Sequence, residues 1–419
     1  MGYLTKTWHF VFLIGYLRVV RPGAALEPIA MNNDPRKVWF VLAKLQMGGI
    51  ERNRLKIMDQ CLQWGVGVSL VLVERKGGLL GEVPALASTR CLGEPWKILF
   101  PLRLAKLMRK EQPACIISAF DDVNVMVVIA SSLGRARVPI LLSNHNAFSV
   151  AYAESRGLKR ARFAVLRWIL PWAFGRAKSV VAVSNGVADD LSASFALPRE
   201  AIEVLYNPVI DSGFDDRASL PATQPVSEQT LLFVGRLVPQ KDISNLLAAC
   251  ALLKQRRPLD VLIVGDGPER PLIEAQVWEM GLADVVRLAG TVQNPLPLMA
   301  GSGVLVLPSR FEGLPGVLIE AMACGTQVVS TDCPHGPAEI LDGGRYGQLV
   351  PVGDPAALAA AIERSLNGDF RVEPVVLRAR AAEFSVERAT RRYLELAGYD
   401  VSTLPPAEPA APRIRPLDG

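Results

Sequence analysis

Ser309-Arg310-Phe311-Glu312-Gly313-Leu314-Pro315-Gly316-Val317-Leu318-Ile319-Glu320-Ala321-Met322-Ala323-Cys324-Gly325 is the stretch around which the chain is organised. A short apolar run, Val304 to Leu307, enters it through Pro308 and reads as a buried strand. The glycines and prolines that follow read as a loop, and the spacing predicts a helix from about Val317 to Ala323, stopped at Gly325. Strand, glycine-rich loop and helix start together make an anion site. The first backbone N–H groups of a helix lack partners, and its dipole is positive at that end. Glu312 precedes the helix and Glu320 lies about a turn inside it. That layout suits a ligand that is anionic in the middle and rich in hydroxyls at both ends, as a nucleotide-sugar is.

Outward from this stretch, the C-terminal half alternates strand and helix. Strands are expected at Leu231–Val234, Asp260–Val264, Val285–Leu288, Val304–Leu307, Gln327–Ser330 and Gly347–Val350. Helices are expected between them at Ile243–Lys254, Glu269–Met280, Leu296–Ala300 and Pro337–Leu341, with Pro355–Leu366 last. This is the pattern of a doubly wound parallel sheet, whose functional residues cluster beyond the carboxyl ends of its strands. Four loops fall at that edge: 235–242, 265–270, 308–316 and 331–337. Arg236 and Lys241 stand on the first, placed to clamp a phosphate. Gly265 opens the second, where a missing Cβ permits close backbone approach.

The N-terminal half repeats the pattern. A strand at Lys37–Leu42 runs into Gly48-Gly49 and a helical pattern to about Trp64. Further strands are expected at Val66–Val73, Cys115–Phe120, Ile140–Asn144 and Ser179–Val183. Gly48 and Gly49 let the backbone approach a ligand or merely make a tight turn. Without a G-x-G-x-x-G pattern they do not identify a dinucleotide site. His145 directly follows a strand and is either structural or a donor to an oxyanion. The fold class is α/β, two doubly wound domains. The expected divisions are an extension at 1–33 outside the core, a domain at 34–210, a polar linker at 211–229, a second domain at 230–383, a terminal helix within 384–401 and a disordered tail at 402–419.

The 419 residues, half of them hydrophobic, suffice for two cores. Six cysteines without paired close spacing and three histidines argue for free thiols in a reducing compartment rather than a zinc site. The net charge of +5 is unevenly spread. Residues 34–220 carry 25 Lys and Arg against 17 Asp and Glu, whereas residues 221–419 carry 18 against 23. A basic N-terminal half fits an anionic lipid surface, a nucleic acid or a phosphorylated substrate, or has no partner at all. The apolar run Trp8–Val20 is shorter than the ~20 residues that span a bilayer. It fits a surface anchor, a start placed upstream of the true one, or a disordered extension. Residues 156–178 interleave Arg156, Lys159, Arg160, Arg162 and Arg167 with Phe163, Leu166, Trp168 and Ile169. This basic amphipathic pattern fits peripheral contact with an anionic membrane, or an ordinary surface helix whose aromatics face the core. No nucleic-acid motif accompanies it, so no nucleic-acid partner is expected.

Taken together, Gly235-Arg-Leu-Val-Pro-Gln-Lys-Asp, Val264-Gly-Asp-Gly-Pro-Glu, the 309–325 stretch and Asp332-Cys-Pro-His-Gly-Pro-Ala-Glu-Ile-Leu resemble the family 4 retaining glycosyltransferases of GT-B fold. The resemblance covers roughly residues 37–397 and is weaker in the N-terminal half, where Gly-Gly-Ile-Glu-Arg, Asn-His-Asn and Val-Ser-Asn-Gly-Val carry it. It implies transfer of a sugar, hexose or N-acetylhexosamine, from a nucleotide-sugar, with a UDP-sugar expected. The implied acceptor is a glycan or lipid-linked molecule in cell-surface polysaccharide or lipopolysaccharide synthesis, on the cytoplasmic side. It implies that Arg236 and Lys241 bind the donor diphosphate, that Glu320 holds the ribose, and that Glu312 meets the donor sugar. Backbone amides across Gly313, Leu314, Pro315, Gly316 and Val317 would line the sugar and phosphates. His145 would contact them across the cleft, with Gly48 and Gly49 near the diphosphate. Asp242 departs from the family, which often has glycine there, and on paper faces the phosphates. No metal or other cofactor is expected, since the donor is a substrate and no Asp-x-Asp stands at a strand end. Asp121-Asp122 and Asp189-Asp190 read as turn and helix surface. Two alternatives use the same fold: an epimerase or large synthase, and a non-catalytic sugar-nucleotide-binding or scaffold protein.

Overall fold

Unbroken apolar runs form the central strands, and amphipathic segments cover them. The structure is a computed structural model and describes residues 37–404 apart from 47 and 154. Among these residues the first sheet holds β1 (Val38–Leu42), β2 (Val68–Leu72), β3 (Ser88–Cys91), β4 (Cys115–Ala119), β5 (Ile140–Asn144), β6 (Ser179–Ala182) and β7 (Ile202–Val204). The second holds β8 (Thr230–Val234), β9 (Asp260–Val264), β10 (Val286–Gly290), β11 (Val304–Leu307), β12 (Gln327–Thr331) and β13 (Gln348–Val350). The strand orders are β3-β2-β1-β4-β5-β6-β7 and β10-β9-β8-β11-β12-β13, and neighbours pair in parallel. Strands β1, β2, β4 and β5 are buried along their whole length. Helices cover both faces, so neither face alternates with water. Strand order reverses between β1 and β4 and between β8 and β11, which opens a crevice beyond the carboxyl ends in each lobe.

Three features depart from the sequence reading, while the expected terminal helix is present. Strands β3 and β7 were not expected: each is short, lies at a sheet edge and mixes polar residues into a partly exposed run. A helix at Pro374–Ala382 was also not expected. Its Leu377 and Ala381 share a core with Leu318 and Met322 of the helix Gly316–Cys324. The terminal helix, Val386–Ala397, returns to the first lobe, where Tyr393, Leu394 and Ala397 are buried against Val38, Phe40 and Leu70. Order continues beyond 402, because Leu404 is buried in the same core. The rest of the expected tail, and the extension at 1–33, lie outside the described residues.

The chain crosses between the lobes at two adjoining places. The Val209 and Ile210 amides donate to the Phe384 carbonyl, at 2.9 and 3.2 Å, and the Val386 amide donates to the Ile210 carbonyl at 2.8 Å. Among the described residues no helix is long and apolar enough to cross a membrane.

Candidate active site

In the second lobe the four loops expected at the carboxyl edge lock onto one another. The Arg310 amide donates to the Gln240 carbonyl (2.8 Å), and Gln240 Nε2 returns to the Phe311 carbonyl (2.8 Å). The Glu312 amide donates to the Pro334 carbonyl at 3.1 Å. The Leu237 amide donates to the Asp266 carbonyl at 3.0 Å. Gly265 takes φ +137, and a Cβ there would stand 1.8 Å from the Gly235 carbonyl oxygen. Its lack of a side chain therefore admits the backbone of the neighbouring loop, the close approach read in the sequence.

Lys241 and Glu312 meet inside this frame. Lys241 Nζ donates to Glu312 Oε1 at 2.6 Å, with the side chains 16% and 8% exposed. Ser309 Oγ donates to the same oxygen at 2.6 Å, and Gln240 Nε2 lies 3.4 Å from Oε2. Lys241 thus keeps N–H donors beyond the one spent on Glu312, and the carboxylate fixes where they point. Arg236 is exposed and makes no side-chain hydrogen bond or ion pair among the described residues. Asp242 has φ +47, the left-handed conformation that glycine adopts most readily, which accounts for the resemblance to glycine-bearing sequences. Its carboxylate is buried and pairs with Arg310 Nε at 3.1 Å.

The helix Gly316–Cys324 begins after Pro315 without a side-chain cap, leaving first-turn amides for a ligand. Glu320 lies one turn in. Burial raises its pKa, while Lys56, Arg217 and Arg52 draw it back. Lys56 and Arg52 stand on the first-lobe helix Gly49–Gln63, so the basic half does face this carboxylate.

The first lobe contributes Gly48, Gly49 and His145. Gly48 caps the helix Gly49–Gln63 with extended backbone. His145, 7% exposed, follows β5 and lies against the other lobe: a Cβ on Gly313 would stand 2.4 Å from its carbonyl oxygen. Burial, and then the charge of Arg54, push its pKa well below the usual histidine value, against the opposing pull of Asn207. The lobes also meet at Asn185 and Gly186. The Asn185 amide donates to both Glu339 oxygens, at 2.9 and 2.8 Å, and Gly186 has no room for a Cβ beside His335.

Gln240, Ser309 and Arg54 escaped the sequence reading. The first two resemble any polar loop residues. Arg54 carried a signal, since it stands four residues from both Ile50 and Met58, on the apolar face of its helix.

Comparison with known proteins follows this division into lobes. Residues 47–212 match the sequence family Glycosyltransferase Family 4, and residues 228–368 match Glycosyl transferases group 1. A Campylobacter jejuni alpha-1,4-N-acetyl-D-galactosaminyltransferase, named for an undecaprenol-diphosphate-linked substrate, is 27% identical over 378 residues, 86% of this chain and 98% of its own. The alpha-D-kanosaminyltransferase of Streptomyces kanamyceticus is 28% identical over 280 residues, 64% of this chain and 72% of its own. The lipopolysaccharide 1,6-galactosyltransferase of Escherichia coli is 29% identical over 210 residues, 49% of this chain and 56% of its own. Among solved structures, Anabaena HepE with UDP superposes with a TM-score of 0.68 at 21% identity, covering 86% of this chain and 98% of its own. At that identity the likeness concerns the fold.

Proposed function

The chain is a family 4 glycosyltransferase of GT-B fold, and we propose that it moves a hexose or N-acetylhexosamine from a UDP-sugar to a glycan or lipid-linked acceptor in cell-surface polysaccharide synthesis. The observation that carries this reading is the interlocked edge of the second lobe: the Lys241–Glu312 pair, the open start of the helix Gly316–Cys324, and Glu320 behind it. Support for the donor comes from the structures of HepE with UDP and with UDP-glucose, and support for the acceptor from the relatives named for lipopolysaccharide and undecaprenol-linked substrates. An intact site of this kind disfavours the scaffold alternative.

Charge dictates the division of labour. Breaking the anomeric C–O bond leaves both electrons on the nucleoside diphosphate and an oxocarbenium-like carbon. Arg236, Lys241 and the helix N-terminus meet the anion without a metal or other cofactor. Glu312 orients Lys241 and faces the sugar, Glu320 holds the ribose, and the amides from Gly313 to Val317, with Gly48, Gly49 and His145 opposite, line the donor. The acceptor attacks from the leaving-group face, with retention of configuration.

The enzyme works on the cytoplasmic side, against the membrane surface. The helix Gly157–Phe174 turns Phe163 and Leu166 into the core, while Leu158 and Trp168, 67% and 85% exposed, point outward beside exposed Lys159, Arg160 and Arg167. An apolar and basic outer face of this kind suits an anionic bilayer.

The test is nucleotide release across a panel of UDP- and GDP-sugars with and without lipid-linked acceptors. Release that depends on acceptor and falls by roughly 10²–10³ in Lys241→Ala is expected. Unchanged turnover in that variant sinks the site. For the membrane contact, sedimentation with phosphatidylglycerol vesicles is expected for the parent and lost in Arg160→Glu/Arg162→Glu/Arg167→Glu. Equal sedimentation removes this helix from the account.

A further inference from the structure

Arg54 is a cation buried without a counter-ion. Its side chain is 2% exposed, and among the described residues no carboxylate pairs with it. Its Nη2 donates to Ser143 Oγ at 2.5 Å and to His145 Nε2 at 2.9 Å. The Tyr393 ring packs under the guanidinium at 4.8 Å, and the Tyr393 hydroxyl lies 3.2 Å from Ser143 Oγ. Burying a charge this way is costly unless something uses it.

The contact with His145 has a chemical consequence. A guanidinium only donates hydrogen bonds, so the ring nitrogen facing it must accept. Ser143 Oγ, 3.1 Å from the same nitrogen, accommodates either tautomer because a hydroxyl donates or accepts. Arg54 breaks that tie. With a lone pair on Nε2, a neutral ring carries its proton on Nδ1. That Nδ1 is buried and has no hydrogen-bond partner, although His145 lies where the donor loop at Gly313 crosses to the first lobe.

We propose that Arg54 is a positioning residue that holds His145 neutral, in the tautomer protonated on Nδ1, and so keeps one unspent N–H donor at the sugar-donor site. The use made of that donor rests on the function proposed above; the tautomer does not. Arg54 comes from the helix Gly49–Gln63 and Tyr393 reaches the ring through Ser143 from the terminal helix, while Asn207, in the loop after β7, opposes them by favouring the protonated ring. The site favours the neutral ring in the same sense, since burial and the arginine charge both lower its affinity for a second proton.

Long-range ¹H–¹⁵N correlation of the full chain labelled in histidine reads the tautomer directly. The chain has three histidines, so His145→Gln identifies the signal. The free protein is expected to show a protonated Nδ1 and a bare Nε2 that stays bare well below the ordinary histidine value near 6.5. In Arg54→Met the ring is expected to titrate higher than in the parent, still held below the ordinary value by burial, and to populate the Nε2–H form. Arg54→Lys, which keeps a cationic donor, is expected to restore the parent tautomer. The acid limb of the kcat/KM profile for UDP-glucose or the donor found active should move up in Arg54→Met and return in Arg54→Lys. A parent spectrum with Nε2–H, or a ring titrating near 6.5, overturns the proposal without any variant. So does an Arg54→Met protein that binds UDP like the parent and keeps both its tautomer and its pH profile. Failure of every nucleotide-sugar to turn over sinks the proposed function instead, because the tautomer is read on the free protein.

Discussion

Gly313→Ala tests the meeting of the two lobes with a single methyl group. Gly313 does not occupy the left-handed region, so alanine meets no backbone strain there. The new Cβ would stand 2.4 Å from the His145 carbonyl oxygen, whereas carbon–oxygen contacts settle near ~3.3 Å. The lobes must therefore part locally by roughly 1 Å. The oxygen belongs to the backbone, and no rotamer change relieves the clash. Overfilling of this kind costs about 1–3 kcal/mol. The clash lies between the lobes, whose backbones bond at 209–210 and 384–386, so the cost is expected to fall on closure and not on the fold of either lobe. Converted to an equilibrium, it lowers the closed population about 5- to 150-fold. The expected result is a drop of that size in kcat/KM for the sugar donor, with the denaturation midpoint and the affinity for UDP alone nearly unchanged. Gly81→Ala, where a Cβ meets no atom within 4 Å, is the control. Parent-level kcat/KM together with a parent small-angle scattering profile for Gly313→Ala would refute the claim that this contact belongs to the working state.

Glu312→Ala and Lys241→Ala should each destabilise the second lobe by about 3 kcal/mol, the low end of the range for breaking a buried pair, because Lys241 keeps some exposure. The double variant should lose less than the sum of the two, and strictly additive losses in chemical denaturation would show that the pair is not coupled. Glu320→Ala should weaken UDP binding by roughly 10-fold or more while sparing a 2′,3′-dideoxy analogue, as calorimetry can check. Equal losses for both ligands contradict the ribose role. Asp121, at the start of the helix Asp121–Gly134, has its pKa pushed up to about 6 by burial and then by Asp122. A raised carboxylate pKa means that the folded state binds the proton more tightly than the unfolded chain, so stability falls as pH rises from about 4 through 6. Asp121→Asn should therefore gain on the order of 2 kcal/mol at pH 7 and nothing near pH 3.5, and a gain equal at both pH values rejects the cause.

The two sheets and the site's edge in the second lobe were legible because they depend on local pattern. Buried parallel strands need continuous apolar runs, loops beyond their carboxyl ends need glycine and proline, and a helix start leaves its own amides open. The stretch from Ser309 to Gly325 shows all three within seventeen successive residues. The same reading missed β3 and β7, whose short, partly polar runs become strands only because a neighbouring strand offers its edge. It could not say which backbone approaches Gly265 or that Asp242 would pair with Arg310, since both answer to loops distant in sequence. Tertiary structure alone decided that the terminal helix would close the first lobe, carrying the Tyr393 hydroxyl to Ser143 across 250 positions. It likewise decided that Arg54, one of several charges on a helix, would be drawn inside onto His145. Local sequence sets which backbone a segment adopts. Which side chain loses its water, and which partner it then finds, depends on the packing of segments that the chain brings together from far apart.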